Sequence, residues 1–333
     1  MRHLAFAAGI FLAGQALAET PVLKVYTYDS FVSDWGPGPV IEKRFEEVCD
    51  CDLQFVGAGD GAALLARLKL EGKRTDADVV LGLDTSLTAQ AAETGLFAPH
   101  GKTPKVDVPT PYEEAGAWSD PLFLPYDYGY LAFVYDKTKL SEAPKTFEEL
   151  AASDVKIVIQ DPRSSTPGLG LLLWVKAQYG DQAEAMWGTL SDNIVTVTPG
   201  WSEAYGLFLE GEADMVLSYT TSPAYHRIAE KDDSKAAAVF EQGNYMQIEV
   251  AGKLAGTDQP ELADRFLDFM LSDAFQSAIP ELNWMYPAVT PKDGLPSGFD
   301  APLISDHAVL IEPAKVPAMR AEALSEWQTA LSR

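Results

Sequence analysis

Aromatic side chains recur beside turn residues along this chain. Tyr28-Asp29-Ser30 precedes Trp35-Gly36-Pro37-Gly38-Pro39, Trp201 follows Gly200, and Tyr219-Thr220-Thr221-Ser222 runs on to Tyr225. Asn283-Trp284-Met285-Tyr286-Pro287 comes late. Each aromatic alone reads as ordinary packing. Several at corresponding strand ends suit a stacking pocket for a flat or cationic ligand, with cation–π contacts worth up to ~2 kcal/mol each when desolvated. A second group suits anions. Asp60-Gly61-Ala62 and Ser164-Ser165-Thr166-Pro167-Gly168 fall where helices are predicted to begin, and free N–H groups there bind phosphate or carboxylate oxygens. Plain N-capping accounts for the same residues, and the Asp60 carboxylate itself favours an amine or a cation over an anion.

Catalytic motifs are scarce. His100, His226 and His307 stand singly, without zinc-site spacing, and no G-x-S-x-G or P-loop occurs. Gln160-Asp161-Pro162-Arg163 reads as a turn at a strand end. Cys49 and Cys51 flank Asp50; they are read as a small local disulfide or as two free thiols, and two thiolates without a nearby His make a poor metal site. With 25 Lys+Arg against 49 Asp+Glu, the formal net charge is −24. That balance argues against an unassisted nucleic-acid binder and is compatible with a cationic partner or simply with a soluble exported surface.

These groups must be positioned by the elements around them. Residues 23–28, 53–56 and 77–83 read as strands, with helices opening at Pro39 and after Asp60. Strand, helix, strand, helix, strand is α/β architecture with a mostly parallel sheet. Residues 101–120 read as a long loop, and then the pattern restarts. Strands are predicted at 130–135, 156–159, 194–198 and 213–218, with a capping box at Thr146-Phe147-Glu148-Glu149 and helices at 167–179 and 202–209. Residues 245–250 alternate again, and the tail is largely helical, ending in an amphipathic helix near 319–331. Two α/β units joined by extended segments imply two lobes with a hinged cleft.

At the start, Met1-Arg2-His3, an apolar run over 4–12 and Ala16-Leu17-Ala18 read as a secretory signal peptide over residues 1–18. The expected organisation is a first lobe over 19–124, a second over 125–243, a return to the first over 244–290 and a helical segment over 291–333.

Longer runs carry a family likeness. Residues 25–31 (VYTYDSF), 34–39 (DWGPGP), 77–84 (ADVVLGLD), 160–170 (QDPRSSTPGLG), 200–206 (GWSEAYG), 217–226 (LSYTTSPAYH) and 283–287 (NWMYP) resemble the periplasmic thiamine-binding proteins of bacterial ABC importers. The Cys49-x-Cys51 pair is similar as well. The likeness spans nearly the whole chain after the leader and weakens after about Lys292. It implies a type II periplasmic binding protein fold, with two α/β lobes closing on thiamine and delivering it to a membrane permease. Thiamine monophosphate and thiamine diphosphate are implied ligands, and the protein is expected to be a periplasmic monomer without a cofactor. Carried over by position, Asp60, Gly61, Ser165, Thr166, Trp201, Tyr219, Thr220, Thr221, Ser222 and Trp284 match binding segments, and Trp35 and Tyr225 match positions beside the pocket. On this reading Tyr219, Tyr225 and Trp284 stack on the rings, Trp201 closes the cleft, and Ser165 and Thr166 meet the hydroxyl or phosphate end. Rival readings are a polyamine or ferric-iron binder of the same fold, or an exported enzyme acting on thiamine.

Overall fold

A computed structural model describes residues 20–109, 118–300 and 308–332. The predicted leader and part of the predicted 101–120 loop lie outside the described residues. Among the described residues ten strands are present: β1 (Val22–Thr27), β2 (Asp52–Gly57), β3 (Val79–Asp84), β4 (Phe123–Asp136), β5 (Ile157–Gln160), β6 (Ile194–Thr198), β7 (Met215–Tyr219), β8 (Lys235–Ala238), β9 (Met246–Lys253) and β10 (Tyr286–Pro287). The main path runs β2-β1-β3-β9-β4-β7-β5-β6, with β8 and β10 both paired to β4.

The strands joined through helices are parallel: β1 with β2 and β3, and β5 with β6 and β7. A crossover helix returns the chain to the same end of the sheet, which enforces that direction. All antiparallel pairing between the described strands involves β4 or β9, the segments that pass between lobes. Sequence periodicity alone did not reveal this central antiparallel block.

The fourteen residues of β4 serve both lobes. Phe123 to Tyr130 pair with β9 in the first lobe, whereas Leu131 to Tyr135 pair with β7 in the second. The chain therefore crosses between lobes inside an unbroken strand and returns through β9.

Helix boundaries follow local chemistry. Asp60 caps the Gly61–Glu71 helix by accepting from the Gly61 N–H, and Gly72 ends it at φ +55°. Ser165 caps the Thr166–Tyr179 helix, whose residues from Thr166 to Lys176 are all buried. A helix apolar all round needs cover on every side. The C-terminal Val316–Leu331 helix supplies it, packing on that helix and on Ala183–Leu190. The tail thus docks mainly on the second lobe, with Arg320 reaching Gln90 of the first at 2.8 Å. The buried Lys176 pairs with Glu322 at 3.1 Å and Glu326 at 2.7 Å.

Cys49 and Cys51 form a disulfide, with Cα atoms 5.2 Å apart, around Asp50 in the left-handed region at φ 54°. So small a loop removes little entropy from the unfolded chain. Replacing both cysteines by Ala should lower the unfolding free energy by no more than about 2 kcal/mol, read from urea denaturation.

Candidate functional site

A cavity of about 510 Å³ opens between the lobes. The first lobe contributes Tyr28, Ser30, Trp35 and Asp60 from the loops after β1 and β2, Glu249 from β9, and Asn283, Trp284 and Met285 from the connection into β10. The second contributes Thr166, Trp201, Tyr205, Tyr219, Ser222 and Tyr225. Strand ends and helix starts meet here, as expected where open α/β sheets bind ligands.

The aromatic walls are held by specific contacts. Trp201 stacks on Tyr205 at 4.9 Å between ring centres, and its indole N–H donates to Ser218 Oγ at 2.8 Å. Trp35, 53% exposed, faces Trp201 across the mouth at 6.2 Å. Tyr225 meets Trp284 edge-on at 5.4 Å, one ring from each lobe. Trp284 is presented by backbone at φ 56°, directly after the π-helical turn Ile279–Asn283. A bulky residue in that region costs of order 1 kcal/mol, a strain typical of binding sites.

Asp60 joins the two lobes. Its Oδ1 accepts from the Gly61 N–H at 2.9 Å, and its Oδ2 accepts from Ser165 Oγ at 2.7 Å. Thr166 Oγ1 lies 3.4 Å from Asp60 Oδ1, and the Ala63 N–H donates to the Ser164 carbonyl at 2.9 Å. Burial raises the Asp60 carboxyl above its ordinary pKa, against the lowering by these hydrogen bonds. Gly61 is required for close approach: a Cβ there would stand 2.4 Å from Thr166 Cγ2 and 2.6 Å from the Gly82 carbonyl oxygen.

The floor carries Glu249. It accepts from Gln247 Nε2 at 3.0 Å, from Tyr28 Oη at 2.9 Å and from Tyr126 Oη. Asn283 Nδ2 donates to Asp127 Oδ2 at 2.7 Å. Burial pushes the Glu249 and Asp84 carboxyls up to about 7. Asp127 is raised as well, by burial first and then by the Glu249 charge.

Of the residues singled out in the sequence, Asp60, Thr166, Trp201, Tyr219, Ser222, Trp284, Trp35 and Tyr225 line the cavity. Gly61 and Ser165 sit in the lobe-to-lobe contact. Thr220 and Thr221 are buried behind the wall, at 1% and 0% exposure. Glu249, Tyr205 and Asn283 also line the cavity without having been named as site residues, and Asp127 and Asp84 are buried opposite Glu249. Gln247 and Glu249 at alternate positions of an otherwise apolar strand were the available signal, since a polar pair on one face of a buried strand needs an explanation.

The chain belongs to the bacterial extracellular solute-binding proteins, whose family model matches residues 38–277. A thiamine-binding periplasmic protein of Escherichia coli (strain K12) is 55% identical over 318 residues, covering 94% of each chain. A solved periplasmic thiamin binding protein superposes with a TM-score of 0.87 at 53% identity, over 94% of this chain and 97% of the other. An iron-bound HitA from Pseudomonas aeruginosa shares the fold at 20% identity and a TM-score of 0.74, over 93% and 99% of the two chains. The two-lobed type II periplasmic binding fold is common to them.

The raised carboxyls have a consequence for stability. Asp84 and Glu249 ionise freely in the unfolded chain near their ordinary pKa values but only near about 7 when folded. Folded protein then binds more protons than unfolded protein between about pH 4 and pH 7, so the contribution of these groups to stability falls as pH rises through that window. Urea denaturation of ligand-free protein should show this decline, and Glu249→Gln should lessen it.

Proposed function

We propose that this periplasmic protein captures thiamine in the interlobe cleft and delivers it to the permease of an ABC importer, acting as a monomer and without any chemical step. The observation that carries the reading is the cavity itself, with aromatic faces from both lobes above buried carboxylates that form no ion pair with Lys, Arg or His among the described residues. Thiamine has a flat aminopyrimidine, a permanently cationic thiazolium and a hydroxyethyl arm. Ring faces suit the first two, and an anionic floor suits the cation.

On this reading Tyr225 and Trp284 take the rings from opposite lobes, and the Trp35–Trp201 pair covers the mouth. Thiamine monophosphate and thiamine diphosphate fit with the phosphate end near Asp60, where the Gly61–Glu71 and Thr166–Tyr179 helices both begin.

The rivals are less well supported. A polyamine offers no flat ring to these walls. Ferric iron would need tyrosinates, yet burial raises the Tyr219 hydroxyl well above its ordinary pKa, and Tyr225 donates to Glu230 at 3.0 Å. A cysteine-dependent enzyme is disfavoured because Cys49 and Cys51 are bonded to each other.

Calorimetric titration should give tight binding of thiamine and far weaker binding of spermidine; no binding of thiamine overturns the reading. Trp284→Ala should weaken affinity by roughly 1–3 kcal/mol, by analogy with stacking losses elsewhere. Asp60→Asn removes a negative charge beside the two helix starts. It should shift preference toward thiamine monophosphate relative to thiamine, measured as the ratio of the two dissociation constants.

A further inference from the structure

Three carboxylates stand in register beneath the cleft, and of them Glu249 lines the cavity. Asp84 of β3 pairs with Glu249 of β9, and Glu249 pairs with Asp127 of β4, so directly opposed positions on three adjacent antiparallel strands are acidic. Opposed residues share a face of the sheet, and like charges placed there repel. All three are buried, at 1%, 6% and 0% exposure.

This row is built by two irregularities. The β3–β9 ladder shifts register between Leu81 and Leu83, and the β9–β4 ladder shifts between Pro125 and Asp127. Each shift lies just before an acid, where a bulge re-aims side chains. Gly82 occupies the first at φ +106°, and a Cβ there would stand 2.3 Å from the Tyr28 ring.

The groups facing the row are nearly all neutral or acidic. Tyr28, Tyr126 and Gln247 donate to Glu249, Asn283 donates to Asp127, and Ser86 donates to Asp84. Asp60 and Tyr219 lie close enough to interact electrostatically with Glu249. Arg320 of the C-terminal helix is the cation facing Asp84, and its guanidinium donates to Gln90 at 2.8 Å. Among the described residues, no ion pair reaches any of the three acids. Asp84 Oδ2 and Asp127 Oδ1 are buried without a hydrogen-bond partner. Three uncompensated charges there would repel one another, which favours keeping a proton on the row.

We propose that the Asp84–Glu249–Asp127 row is a proton-exchanging receptor for the ligand's fixed positive charge: the empty cleft holds a proton on the row, and docking of the cation on Glu249 releases it to solvent. No covalent bond changes; one O–H proton leaves for water or buffer as the cation takes over its compensating role. Aromatic walls bind a cation without choosing when. The row adds a dependence on pH and a penalty against neutral rings. The ligand part of this proposal rests on the thiamine reading.

The test is calorimetry of thiamine binding in buffers of different ionisation enthalpy. Near neutral pH the wild type should release a substantial fraction of a proton. Its affinity should rise with pH on the acid side, approaching tenfold per pH unit for release of one full proton. Asp127→Asn, which relieves the repulsion on Glu249, should flatten that pH dependence and reduce the release. Glu249→Gln should bind thiamine at least about tenfold more weakly, as expected when a charged hydrogen-bonding partner is lost. A buffer-independent enthalpy in the wild type overturns the proposal while leaving thiamine binding intact. Failure of thiamine to bind would instead overturn the ligand reading. The proton is then still tested by infrared spectroscopy of ligand-free protein: a protonated carboxyl stretch at neutral pH, diminished in Asp127→Asn, supports it, and its absence refutes it.

Discussion

The two lobes of this molecule share one hydrogen-bonded ladder. The pairing of both lobes converges on β4, whose first half pairs with β9 and whose second half pairs with β7, and the C-terminal helix adds a second link through Arg320 and Gln90. A strand paired along most of its length bends and twists as a unit. The cleft is lined on either side of that crossing, by Glu249 opposite Asp127 and by Tyr219 opposite Leu131.

The same arrangement explains why polar groups gather at the floor. Strands inserted antiparallel at the centre place β3, β9 and β4 side by side, and their ends point into the cleft. Apolar residues elsewhere on these strands close the core, as Val79, Val80, Leu124 and Val250 do at 0% exposure. Only at the cleft end do Asp84, Asp127 and Glu249 replace them. The cleft thus combines broad ring surfaces with buried carboxyl groups, while distant surface charges are screened by salt.

Much of this was legible in the sequence for physical reasons. The continuously apolar β3 and the capped helices at Asp60 and Ser165 follow from local pattern and hydrogen bonding. The aromatic residues were visible because they adjoin turn residues, which marks them as lying at element ends. What stayed hidden depends on distant pairing. Asp84, Asp127 and Glu249 are far apart in the chain, and nothing local indicates that β3, β9 and β4 are neighbours in that order. Thr220 and Thr221 share a run with Tyr219 and Ser222, yet the chain turns them into the wall rather than the cavity. The docking of the tail on the second lobe was likewise invisible until the Thr166–Tyr179 helix was seen to be apolar on all sides.

The double use of Asp60 bears on how the cleft reopens. Its carboxylate serves the Gly61 N–H on its own lobe and the Ser165 hydroxyl on the other. Each helix keeps its own cap when the lobes part, because Ser165 Oγ also accepts from the Gly168 N–H at 3.4 Å. Parting the lobes at this point gives up the Asp60–Ser165 hydrogen bond and leaves both helix caps in place. A hydrogen bond of that kind contributes about 1 kcal/mol net, little enough for a ligand held between the walls to outweigh it.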